Sequence, residues 1–182
     1  MILTVGSKVV YPCQGPCLVG AVVERLVAGG PRSFCHLIVL DDRGSELFVP
    51  VDRVQTIGVR SLVKRSDVPK LLDRLTKTSE MARDRKQRAD DILRLFTSGS
   101  AFDLAEIVGS LTELSKAKAL SPRESWTLVK ARTLLVCEIS EVMGEAKSAA
   151  EEQVDQALRV RKIAVVSGNP NYQSIGEFSQ NL

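Results

Sequence analysis

The sequence is short of aromatic residues and almost without histidine. Phe, Trp and Tyr together make up 4% of the 182 residues, so any core must be largely aliphatic. His36 is the one histidine, and it stands beside Cys35 in a stretch that reads as a strand. A lone histidine there fits a structural role better than proton transfer. No phosphate loop, GxGxxG or GxSxG stretch is present. Cys13-x-x-x-Cys17 with Cys35 and His36 departs from the CxxC spacing of zinc sites and lies among apolar neighbours. Neither an enzyme nor a metal protein is expected, and no cofactor. No apolar run is long enough to span a bilayer. The first residues, MILTVGSKVVYP, lack the charged-then-apolar pattern of a signal peptide. A cytoplasmic protein is expected, with its four cysteines reduced and no membrane partner.

What is present is ordinary apolar content, 44%, and a formal net charge of +3. The distribution says more than the total. Residues 64–100 hold ten Lys or Arg against six Asp or Glu. Such a local surplus suits either a nucleic-acid surface or the solvated faces of helices.

The hydrophobic pattern changes period once. Up to about residue 60 the chain reads as short β-strands: Val9–Tyr11, Leu18–Val27, Phe34–Leu40, Glu46–Val51 and a last one over Val54–Val59. Gly15, Gly29-Gly30-Pro31 and Asp42-Arg43-Gly44 supply turns. Strands of this length with tight turns predict a small SH3- or Tudor-like barrel. Pro50 should lie at a strand end or on an edge. From Ser66 the period becomes helical. Helices are expected from Ser66 to about Lys77, Glu80 to Ser98, Ser100 to Lys116, Ser121 to Gly144, and Glu145 to about Arg161. The fold class is therefore α+β, with two domains. The expected boundaries are 1–62 for the barrel, 66–162 for a bundle of about five helices, and 163–182 for a flexible tail.

The fourth helix should organise the bundle. Ser121, Pro122 and Glu124 form a capping-box start, and Gly144 a stop. Leu128, Ala131, Leu135, Ile139 and Val142 make an apolar stripe that other helices must cover. Trp126, the one tryptophan, should pack on a neighbour, buried or half-exposed. In the second helix Met81, Ala89, Ile92, Leu93 and Phe96 share one side. Arg83, Lys86 and Arg94 point away from it, and Arg88 lies at the margin. Arg85 falls on the apolar side, where a cation must snorkel or sit at an exposed helix end. Several cations close together suffice for phosphate backbone contacts.

The motifs in order resemble the CarD family of bacterial transcription regulators. The first half carries Val5-Gly6, Val9-Val10-Tyr11-Pro12, Gly15, Val49-Pro50 and Gly58-Val59-Arg60. The second carries Ser98-Gly99-Ser100, Leu104-Ala105-Glu106-Ile107-Val108, Leu111, Leu120-Ser121, Glu124, Leu128, Ala131-Arg132, Leu134-Leu135 and Glu138. The resemblance implies a Tudor-like module that docks on the β subunit of RNA polymerase, partly through a strand edge. Arg25, Leu37, Phe48, Val49 and Pro50 are the residues it assigns to that contact. It also implies a helical domain at promoter DNA, with Arg83, Arg85, Lys86 and Arg88 as DNA-facing residues, acting as a monomer to slow collapse of the open complex. Family members place a Trp wedge near the start of the second helix. Here that position is Arg85, the first of the two following arginines is Gln87, and the second is matched by Arg88. The family's Arg-Asp-Leu is Gly109-Ser110-Leu111. Trp126 lies on a different helix.

Overall fold

The computed structural model describes residues 3–27, 29–41, 44–77 and 84–167, with side-chain surroundings through Val160. Five strands, β1 (Lys8–Tyr11), β2 (Gly15–Val27), β3 (Gly30–Val39), β4 (Glu46–Pro50) and β5 (Arg60–Ser61), form one antiparallel sheet in the order β4-β3-β2-β1-β5. Alternation sets its faces. Cys35, Leu37 and Val39 turn inward with Cys17, Val19 and Val49, while Phe34, His36 and Ile38 turn outward. The β2–β3 register shifts between Val19 and Val22. Gly20 sits in that irregularity, and a Cβ there would meet the His36 ring at 3.0 Å.

The expected strand over Val54–Val59 is instead a short helix, α1 (Val54–Ile57), followed by β5. The reason is local. Val54 and Ile57 are three apart and both face the barrel core. Gly58, at φ 88°, closes the helix in the left-handed conformation, with its N–H donating to the Gln55 carbonyl.

Five helices follow: α2 (Val68–Thr76), α3 (Arg85–Thr97), α4 (Ala101–Ala117), α5 (Pro122–Met143) and α6 (Lys147–Ser167). The described part of α3 starts later than expected, at Arg85, where the Asp84 carboxylate accepts the Gln87 N–H at 2.9 Å. Met81 and Arg83 lie outside the described residues. α6 runs to Ser167, past the expected helix end and into the stretch assigned to the tail. In α5 both halves of the capping box form, and Gly144 takes φ 67°. Its stripe is the centre of the bundle: Ala131, Leu135 and Ile139 are fully buried against α4 and α6, and Leu128 and Val142 partly. Each buried Leu or Ile contributes about 2 kcal/mol to the fold.

The two domains meet through a few close contacts. The Arg60 guanidinium grips Glu138 of α5 at 2.7 and 2.8 Å, and its Nε donates to the Gly99 carbonyl at 2.7 Å. The Val63 N–H donates to the same carboxylate at 3.0 Å. Glu138 is 1% exposed, so this charge depends on those donors. Gly99 has φ 71°, and a Cβ there would sit 3.2 Å from Pro12. A Cβ on Gly15 would meet Leu134 at 3.0 Å. Lys8 adds an ion pair to Glu141 at 2.6 Å. These contacts set where the outer face of the sheet lies relative to α3.

Candidate functional site

Two surfaces carry exposed, chemically distinctive side chains. The first is the outer face of the sheet at its β4 edge, which has no strand beyond it among the described residues. His36 pairs with Phe48 across β3 and β4, and their rings stack at 4.8 Å with 9° between planes. Arg25 of β2 also lies over the Phe48 ring, its guanidinium carbon 3.8 Å from the ring centre. The His36 Nε2 lies 3.2 Å from the Glu46 carboxylate. The result is a column of guanidinium, phenyl and imidazole on one sheet face. The Arg25 N–H donors remain available at its outer end, and Arg25 has no ion pair among the described residues. Pro50 ends β4 opposite Phe34 and contributes no N–H to the edge.

Two residues assigned to this surface lie elsewhere. Leu37 is fully buried in the barrel core, because it shares the inward side of β3 with Cys35 and Val39; its side chain does not reach a partner. Val49 is buried too, and offers the surface only its backbone on the edge strand.

The second surface is the start of α3 and the cleft between α3 and α5. Arg85 and Lys86 are exposed on the first turn of α3. Arg88 is not: it is 3% exposed, and its Nε donates to Glu124 at 2.9 Å. The margin of the helix that carries Arg88 faces the start of α5, so the guanidinium is consumed in tying α3 to the capping box. Arg88 therefore leaves the set of DNA-facing residues. Arg83 lies outside the described residues.

Glu124 is held tightly. Burial alone would raise its pKa, but the Ser121 hydroxyl and N–H and the Arg88 guanidinium outweigh it and bring the carboxyl down to about 2. A depressed folded pKa stabilises the fold above the ordinary carboxylate range and loses that contribution as the pH falls toward 2. From an ordinary 4.5 this amounts to about 3 kcal/mol, at roughly 1.4 kcal/mol per pH unit. Glu124→Gln should therefore lower stability by about 3 kcal/mol at neutral pH in urea unfolding. The gap to wild type should close as the pH drops below 4.5. A gap that stays constant with pH would mean that the ionised form is not what stabilises.

Trp126 packs on a neighbour, as expected, and is more than half exposed. It is 61% exposed, tilted at 58° against the nearly buried Phe96 with ring centres 6.0 Å apart. Together with Ala89, Ile92 and Leu93 of α3 and Arg123 and Thr127 of α5, the two rings line a shallow cleft of about 70 Å³. One signal for this exposure was legible beforehand: Trp126 stands two residues before Leu128, off the line of the buried stripe.

Burial disfavours the thiolate at three of the four cysteines. Burial pushes Cys17 up to about 11, with Asp41 adding to the effect, and burial raises Cys13 and Cys35. Among the described residues no group of three or more His, Cys, Asp or Glu could hold a metal ion.

Both domains match known families. Residues 3–63 match the CarD-like/TRCF RID domain, and residues 67–155 match the C-terminal domain of CarD. The chain belongs to the CarD family. CarD family proteins are non-enzymatic transcription factors, and both of these domains are interaction modules. The solution NMR structure of the 72-residue N-terminal domain of Myxococcus xanthus CarD is 41% identical to this chain. That match covers 32% of this chain and 77% of the solved one, with a TM-score of 0.28. The family assignment rests on the two domain models. Among the described residues no helix is long and apolar enough to cross a membrane.

Proposed function

We propose that this CarD family chain docks on the β subunit of RNA polymerase through the outer face and β4 edge of its barrel. In this reading its α3 side faces promoter DNA at the upstream edge of the melted region and slows collapse of the open complex. The observation that carries the reading is the Arg25–Phe48–His36 column beside an open strand edge. A flat edge invites backbone pairing with a partner strand, and a stacked guanidinium adds a directional donor for a carboxylate. The Arg60–Glu138 contact then carries that docking through to the placement of α3.

DNA contact in this reading is electrostatic. Arg85 and Lys86 supply phosphate or minor-groove contacts, which fixes position more than sequence. The full-length protein alone should bind duplex DNA weakly and with steep salt dependence. Neutralising Arg85 and Lys86 together should reduce the slope of log affinity against log salt by about two. Fluorescence anisotropy over a salt series reads this directly. A tight complex indifferent to salt, or an unchanged slope in the double variant, would remove these residues from the DNA surface.

A further inference from the structure

We infer that Trp126 is a nucleobase contact: its exposed indole receives an unstacked base, while the cations around the cleft take the adjoining phosphates. The inference rests on the DNA-facing reading above and adds to it a ring on a different helix. Three observations converge on it.

Trp126 is large, apolar and 61% exposed, yet it is held in place. Phe96 packs against it at a tilt, and the capping box with its Arg88–Glu124 pair fixes the first turn of α5 just before it. A presented and positioned ring can stack without first losing much side-chain freedom. The cleft it borders is about 70 Å³, shallow and lined mainly by carbon. That space suits the face or edge of one planar group and is too small to seat the row of side chains that a partner helix would insert.

Charge then selects among planar groups. By helical spacing, Arg85 precedes Ala89 by four residues and Leu93 by eight, so it continues the cleft-facing side of α3, and Lys86 is exposed next to it on the same first turn. Asp90 and Asp91 fall outside that sector, and Asp84 is occupied in capping the helix. On α5, Arg123 lines the cleft three residues before Trp126. Arg85, Lys86 and Arg123 make no ion pair among the described residues. Glu124, the one carboxylate in the wall, is already taken by Arg88. An aromatic platform rimmed by free cations is the chemistry that holds unpaired nucleic acid: stacking on the base, charge on the backbone. This placement also accounts for Arg85 lying on the apolar side of its helix, since that side opens to solvent at the cleft.

The single tryptophan reports on itself. Full-length protein is titrated at low salt with a duplex carrying a short unpaired bubble, and with the fully paired duplex of the same sequence, while indole emission and affinity are followed. The bubble should quench emission strongly and the paired duplex little. Trp126→Ala should cost about tenfold in bubble affinity, with Trp126→Phe recovering most of it. The side chain is largely exposed, so both variants should keep the wild-type circular dichroism and melting behaviour. The inference is overturned if Trp126→Ala binds the bubble as tightly as wild type. It is equally overturned if the indole responds only to added RNA polymerase core, which would make this face a protein contact. The two readings fail differently. If Lys86→Ala weakens binding to both DNAs and Trp126→Ala weakens neither, the DNA-facing reading stands and Trp126 is an ordinary surface residue. If neither DNA binds at low salt, both fall.

Discussion

Arg60→Ala should destabilise this protein by about 3–5 kcal/mol, the usual cost of stripping a partner from a buried ion pair. Glu138 is 1% exposed, and both of its oxygens are held by the guanidinium. Without Arg60 the carboxylate keeps, among the described residues, only the Val63 N–H as a donor, in surroundings with little water. The reverse change, Glu138→Ala, should cost less, because the Arg60 side chain is 26% exposed and can turn toward solvent. Replacing both with apolar residues of similar volume should recover much of the loss, since the desolvation cost then disappears with the pair. Urea unfolding of the three variants measures this. Equal losses in the two single variants would mean that burial of the carboxylate is not what sets the cost. A loss below about 1 kcal/mol for Arg60→Ala would place this contact with ordinary surface salt bridges.

Arg25→Glu should weaken binding to RNA polymerase β at least about thirtyfold, the equivalent of roughly 2 kcal/mol for reversing a charge at a docked, hydrogen-bonded position. The stack makes Arg25 more than a loose surface cation. Phe48 supports the flat side of the guanidinium, and His36 supports Phe48. Phe48→Ala should therefore weaken binding less, by about fivefold, through lost cation–π support and a less ordered arginine. Pro50→Ala adds an N–H to the edge and should shift backbone pairing modestly. Surface-captured polymerase and full-length protein in solution give the affinities. Arg25→Glu and Phe48→Ala binding like wild type would mean that docking uses another face.

Much of the architecture was legible because the hydrophobic period changes only once. Short runs with tight turns marked the strands of the barrel, and the three- and four-residue stripe marked α5. The Ser121–Glu124 capping box was explicit in the sequence and forms in the structure. The strand expected at Val54 failed because a short apolar run does not distinguish period two from period three; Gly58 as a helix stop tipped it. The motifs that carried the family resemblance also gain a physical meaning. Pro12, Gly15 and Arg60 come from one domain, and Gly99, Leu134 and Glu138 from the other, and they meet at the domain junction. Close backbone approach there demands glycine, and the buried carboxylate demands its arginine.

The surfaces were harder to read. Leu37 looked like a contact and is core, because a resemblance transfers a position without its facing. Arg88 looked free, and no spacing within α3 could show that Glu124, thirty-six residues on, would claim it. Trp126 looked like packing material. Its exposure follows from where α3 lies against α5, a tertiary fact that neither helix encodes alone.

Decay of preformed open promoter complexes after a competitor challenge is the decisive measurement, made with polymerase alone, with wild-type protein and with Arg25→Glu. Wild-type protein should lengthen the lifetime. Arg25→Glu should return it to that of polymerase alone at concentrations where wild type saturates, because α3 reaches the promoter only when the barrel is docked. An unchanged lifetime with wild type, or an effect that survives Arg25→Glu in full, would contradict this.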